Sequence, residues 1–251
     1  MLRILMVLLM VGVFSSEALA RSAGTVVLSV GENHADNLYG TLRPLKRGTK
    51  IYSEERIVTG PRGRVHIRFN DGSSVNLKPG STFQIAQYHY DEAAPEEGAA
   101  VFQLLRGGLR TISGKIGKAN PENVRLQTVL ATIGIRGTEY ELYVCDRCCA
   151  EQNGSFEGMA GGVDQGGISV DSLAGQADLK PGKYFELAKG ANELSLLDER
   201  PAMLAIGDPV VPKPAPVPEP EPSPIVDECD EGRDYDPMNI WFECNYEIIG
   251  R

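Results

Sequence analysis

The chain has 251 residues, of which 42% are hydrophobic and 24% charged, and its formal net charge is −9. That length suits one sizeable core with appendages, and an acid excess without clustered Lys and Arg argues against nucleic acid as a partner. The acidity is uneven: residues 227–251 carry −6 and 208–226 carry −2, which leaves −1 for 1–207.

The N-terminus reads as an export signal. Arg3 gives a short basic start, Ile4 to Phe14 are uninterruptedly apolar, and Ala18-Leu19-Ala20 has the small-x-small form of a signal-peptidase site. The apolar stretch is short for a permanent span, so cleavage between Ala20 and Arg21 is expected, with an uncleaved anchor as the alternative. No later segment has the length and apolarity of a membrane helix. A periplasmic, secreted or cell-envelope location follows as the expectation.

Alternation, not helical periodicity, dominates what comes next. Val26–Val30 and Ile57–Thr59 are expected strands. Val65, Ile67 and Phe69 alternate with Arg64, His66 and Arg68, Asn70-Asp71-Gly72-Ser73 turns, and Val75 and Leu77 resume. This predicts a hairpin with one buried face and an Asp-Gly turn. His66 falls on its polar face, as an exposed strand histidine rather than a metal ligand.

Leu77-Lys78-Pro79-Gly80 is echoed by Leu179-Lys180-Pro181-Gly182, and more weakly by Leu45-Lys46-Arg47-Gly48. Pro sets φ at the first central position of a type II turn and Gly accepts positive φ at the second. The lysines are expected on the wet side of these turns. Further strands are predicted at Phe83–Tyr90, Val101–Leu105, Leu109–Ile112, Val124–Gln127, Thr138–Val144 and Ile168–Asp171. Asp91–Gly98 should be a loop, and Cys145–Gln165, poor in large apolar groups, a long excursion. Many short strands between Gly-rich turns predict an all-β sandwich or roll over residues 24–207.

Eight of the sixteen residues from Pro209 to Pro224 are proline. Such a run predicts a semi-rigid spacer over 208–226, roughly 50 Å long at about 3.1 Å per residue. Residues 227–251 form an acidic, cysteine-bearing tail that is either stapled by Cys229 and Cys244 or disordered. An odd count of five cysteines in an exported chain leaves one over. Cys145 and Cys148 are candidates for a local disulfide, since no histidine accompanies them as a zinc site would require. Asp230, Asp234 and Asp236 fail as an EF-hand because Trp241 stands where the bidentate Glu belongs. No catalytic, cofactor-binding or metal-binding residues are singled out. A carbohydrate-active or cell-wall-modifying enzyme stands as the alternative to a binding protein.

Thr132-Ile133-Gly134-Ile135-Arg136-Gly137-Thr138-Glu139-Tyr140 interrupts an extended run with an arginine between two glycines. Together with Ile57-Val58-Thr59-Gly60, Gly63 to Ser73, Leu77 to Ser81 and Leu104-Leu105-Arg106-Gly107-Gly108-Leu109-Arg110, it resembles the FecR protein domain over about residues 24–190. The resemblance implies a non-enzymatic all-β sensing module outside the cytoplasmic membrane, here free-standing. Its partner would be an envelope protein, such as a transporter or membrane sensor, or an anionic glycan. Arg136, Gly137, Thr138, Arg106 and Arg110 are the candidate motif or partner-binding residues. Arg136 is either a pin across a bulged strand or a partner-facing group. A run of cations from Arg106 through Lys115, Lys118 and Arg125 to Arg136, opposed only by Glu122, could form one basic stripe.

Overall fold

A computed structural model describes residues 21–37, 40–145 and 157–208. All lie in the compact unit Met1–Pro209; a second unit, Val210–Arg251, falls outside the described residues. The export signal with Ala20, Cys148, the spacer, and the tail with Cys229 and Cys244 therefore lie outside them too.

Among the described residues fifteen strands join in one sheet: β1 Gly24–Val30, β2 Asn33–Asp36, β3 Leu42–Pro44, β4 Lys50–Ile51, β5 Arg56–Thr59, β6 Arg64–Phe69, β7 Ser74–Leu77, β8 Thr82–His89, β9 Ala99–Ile112, β10 Val124–Gln127, β11 Ala131–Cys145, β12 Gly158–Ser172, β13 Gly175–Leu179, β14 Tyr184–Ala188 and β15 Ser195–Leu197. One short α-helix among the described residues, α1 (Lys115–Ala119), lies between β9 and β10, and a 3-10 turn, Ala202–Ala205, follows β15. The all-β class expected from alternation is what forms, as one many-stranded sheet.

The period of two explains which side chains go inside. Val65, Ile67, Phe69, Val75 and Leu77 are each no more than 2% exposed, and the hairpin turns at Gly72 with φ +83°. They meet Phe83, Phe102 and Leu104 in one apolar cluster that draws on most strands. Phe69, Phe83 and Phe102 stack with centroids 4.9 and 5.3 Å apart. At such tilted geometry each ring pair adds about 1 kcal/mol beyond area burial.

Three expectations need correction. The segments Val101–Leu105 and Leu109–Ile112 are one strand, β9, because Gly107 at φ +81° bends the chain without breaking the ladder. The later part of the predicted excursion Cys145–Gln165 is strand, since β12 starts at Gly158. Its residues are small because Phe185 and Tyr184 of β14 lie over them; a Cβ on Gly161 would sit 2.4 Å from the Phe185 ring, and one on Gly162 2.2 Å from Tyr184. His66 is half-buried rather than exposed, and burial, with Arg68 nearby, pushes its imidazole below its ordinary value.

Candidate functional site

β11 changes neighbours at the glycine-flanked arginine. Thr132 to Gly134 pair with β10, Glu139 to Val144 pair with β9, and β12 runs along the other edge throughout, with register shifts between Arg136 and Tyr140. A strand that exchanges one partner for another must take up extra chain, and a bulge does so. Gly137 is glycine for its backbone: φ is +60°, and a Cβ there would meet nothing within 4 Å.

The pin across this bulge is Thr138, not Arg136. Thr138 is 2% exposed, and its hydroxyl donates to Gly167 O at 2.7 Å and accepts the Arg136 N–H at 3.1 Å. Its own N–H donates to Ser113 Oγ at 2.9 Å, and its carbonyl accepts from the Ser113 N–H and hydroxyl at 2.9 and 3.0 Å. The Thr138 hydroxyl thus ties β11 to β12, and its backbone N–H and carbonyl tie β11 to Ser113 at the end of β9. With the backbone secured, the Arg136 side chain is exposed and has no hydrogen-bond or ion-pair partner among the described residues.

Arg136 borders a groove of about 210 Å³ that also takes in Arg125, Glu122, Thr132, Ser169 and Asp171. Arg125, Gly134 and Ser169 form one row across β10, β11 and β12. Gly134 keeps the floor open, since a Cβ there would lie 2.4 Å from Ser169 Oγ. Arg125 reaches the Glu122 carbonyl at 3.3 Å. The lining thus mixes two guanidinium groups with two hydroxyls and the Glu122 and Asp171 carboxylates, and an arginine without an ion pair of its own suits a carboxylate or another planar anion.

The other two candidate arginines serve the fold. Arg106 donates to Gly80 O at 3.2 Å, bracing the first Leu-Lys-Pro-Gly turn from the side. Arg110 makes a fork on Glu139 at 3.0 and 2.9 Å and reaches Asp164 at 3.1 Å. Burial pulls the Arg110 guanidinium down, but Glu139 and Asp164 outweigh it and hold the group above its ordinary value. Lys115 is paired with Glu92 at 2.8 Å. Arg106, Arg110 and Lys115 are thus taken up by Gly80, by Glu139 with Asp164, and by Glu92, while Arg125 and Arg136 share a groove with Glu122 and Asp171, so the cations are not one unopposed stripe. Cys145, a disulfide candidate, ends β11 as a buried residue beside Tyr143 and Met203, and its suggested partner Cys148 lies outside the described residues.

A second cluster was missed from sequence because its members are far apart in the chain. Lys78, expected on the wet side of its turn, is 8% exposed. Its Nζ donates to Leu204 O and, at 2.7 Å, to Asp208, with Glu141 at 4.0 Å. Arg200 forks onto Glu141 at 2.6 and 2.7 Å and reaches Asp208 at 2.8 Å. Glu141 holds Arg200 above its ordinary value. Burial works to raise Asp208, but Lys78 and Arg200 prevail and keep its carboxyl below the usual range. Four charges, two of each sign, clasp the segment after β15 onto the first turn. Among the described residues no group of three metal-ligating side chains comes together.

Residues 55–154 match the family model described as FecR protein, a span that contains the Arg136 bulge and the first Leu-Lys-Pro-Gly turn. The resemblance drawn from the motifs is thus borne out over these residues. Two crystal structures of a protein from Parabacteroides distasonis, provisionally assigned as an anti-sigma factor, are 16% identical, with TM-scores of 0.45 and 0.44. In each case 57% of this chain and 59% of that one are covered, so the chain spans about three-fifths of their length. A solved cell surface anchoring domain is 31% identical over 25% of this chain and 82% of its own, with a TM-score of 0.24. No curated protein matches the chain. No helix among the described residues is long and apolar enough to cross a membrane, which leaves strands out of account.

Proposed function

We propose that this chain is a non-enzymatic recognition module of FecR type that works in the cell envelope, and that Arg136 is its contact residue. The observation that carries the reading is the division of labour among the arginines. Arg106 and Arg110 are spent on the fold, whereas Arg136 stands exposed on a bulge held by Thr138 and Ser113 rather than by its own side chain. The partner is an envelope protein, such as a transporter or membrane sensor, that offers a carboxylate; an anionic glycan is the other source of the same chemistry. Export and the spacer carrying residues 227–251 to a second contact belong to this proposal.

The test places a photo-activated crosslinking residue at position 136 in cells, with position 110 as the comparison, in chains with and without residues 209–251. Capture of a transporter or membrane sensor from 136 but not 110 supports the reading. Capture that depends on residues 209–251 assigns that contact to the tail instead. Recovery of polysaccharide alone points to the glycan, and turnover of that polysaccharide by the purified protein would replace recognition with hydrolysis.

A further inference from the structure

The Leu-Lys-Pro-Gly turn occurs twice, and the strand register around it repeats with it. In the first copy Val65 pairs with Leu77, Ile67 with Val75, and Ile57 with Phe83. In the second Ile168 pairs with Leu179, Val170 with Ala177, and Gly161 with Phe185. Gly80 and Gly182 hold φ at +67° and +75°. Thr59 N–H donates to Ser81 O at 2.9 Å, and Val163 N–H to Lys183 O at 3.1 Å. Strands β5–β8 and β12–β14 are two copies of one unit.

Their surroundings differ. In the first copy β9 fills two places: its residues up to Arg106 pair with β8, and Leu109–Ile112 pair with β7. In the second copy β15 fills the former place, pairing with β14 through Ser195, Leu196 and Leu197. The chain then leaves the sheet, because Arg200 is drawn to Glu141 and Asp208. The latter place, beside β13, is taken by no described strand. Lys78 N–H donates to Gly108 O at 2.9 Å, whereas its counterpart Lys180 N–H has no backbone acceptor among the described residues. By strand alternation Gln176 and Asp178 turn their N–H groups to the same open side. Beside this edge lies a groove of about 420 Å³ that includes Leu179, Lys180, Tyr184 and Leu196, and Leu196 is 61% exposed.

We propose that β13 accepts an extended strand of a partner protein, added antiparallel to Gln176–Leu179 as β9 is added to β7. Main-chain hydrogen bonds supply the affinity, and side chains at alternate positions supply the choice of partner. The counterpart fixes the chemistry. Leu109 lies opposite Leu77 and Arg110 opposite Asn76. Here those positions are Leu179, buried, and Asp178, exposed. The incoming strand therefore carries an apolar residue opposite Leu179 and a cation opposite Asp178, and its continuation past Lys180 lays an apolar side chain in the groove. The edge does not involve Arg136, so it stands or falls separately from the role proposed for that residue.

The probe is a labelled peptide copying residues 105–113 of this chain, Leu-Arg-Gly-Gly-Leu-Arg-Thr-Ile-Ser, added to the full-length protein. The expected result is slowed amide exchange at Gln176 and Asp178 and saturable binding. Asp178→Pro, which removes one outward N–H and the charge, should weaken it about tenfold or more. Asp178→Lys keeps the N–H and reverses the charge, and should weaken binding in a protein with no proline to disturb the fold. Absence of binding at millimolar peptide, or binding that neither variant alters, overturns the proposal. Protection of Gln176 and Asp178 that rises with protein concentration alone would show that a second copy fills the edge, and would overturn it too.

Discussion

Leu77–Gly80 and Leu179–Gly182 make the same turn with similar positive glycine φ, +67° and +75°, yet their lysines meet opposite environments. Lys78 lies under the segment 200–208 and beside β9, buried with Glu141; Lys180 is exposed. The turn therefore fixes where a lysine leaves the backbone and nothing about whether it meets water. Burial is conferred by what packs alongside, and in the first copy two later segments do so. The arginines differ in the same way: Arg110 is ion-paired with Glu139 and Asp164 on adjacent strands, whereas Arg136 makes no ion pair among the described residues although Asp171 of β12 lines the same groove.

The sharpest way to break the comparison is a proline at matched positions. Asn76→Pro removes an N–H that faces β9 and should destabilise the protein by about 3 kcal/mol or more, with little loss from Asp178→Pro at the open edge. Denaturant unfolding checks this; equal losses would mean that β13 is paired after all. Next comes the lysine pair. Lys78→Ala strips a buried carboxylate of one partner and should cost about 3 kcal/mol, whereas Lys180→Ala should stay within about 0.5 kcal/mol. Similar values for the two would deny that burial sets the difference.

Smaller effects separate the pin from the contact residue. Thr138→Val keeps the shape and loses the hydroxyl, leaving Gly167 O and the Arg136 N–H unsatisfied, at about 2 kcal/mol by thermal or denaturant melts. Arg136→Ala should leave the melt unchanged within about 0.5 kcal/mol while abolishing capture of the partner. The least effect is acid sensitivity. Asp208 is held below its ordinary value of 3.8, so its contribution to stability is present above that pH and is lost as pH falls through 3.8 towards the folded value. Asp208→Asn should flatten that part of the stability profile. Asp164, raised chiefly by burial, acts in the opposite sense, because its charged form is the one disfavoured by folding.

Local patterns carried much of the fold. Alternation from Arg64 to Leu77 with Asp71-Gly72 between specified the hairpin, because a strand with one buried face tolerates only one register. The resemblance located the bulge, and the glycines flanking Arg136 marked it as backbone of unusual shape. The role of Arg136 within it was not legible, because a threonine two residues on makes the crosslinks and an isolated Thr gives no such signal. The first half of β12 was equally hidden: Met159-Ala160-Gly161-Gly162 looks like loop until the rings of Tyr184 and Phe185 are laid over it.

The sequence by itself determined the elements whose causes are near neighbours: alternating strands, the repeated turn at Gly80 and Gly182, and the hairpin at Gly72. Tertiary structure alone decided the burial of Lys78, the pairing of Glu141 with Arg200, the freedom of Arg136 and the open edge of β13. The physical reason is distance along the chain. Lys78 meets Leu204 across 126 residues and Asp208 across 130; periodicity reports which face a side chain takes, and only the folded chain determines what is brought against that face.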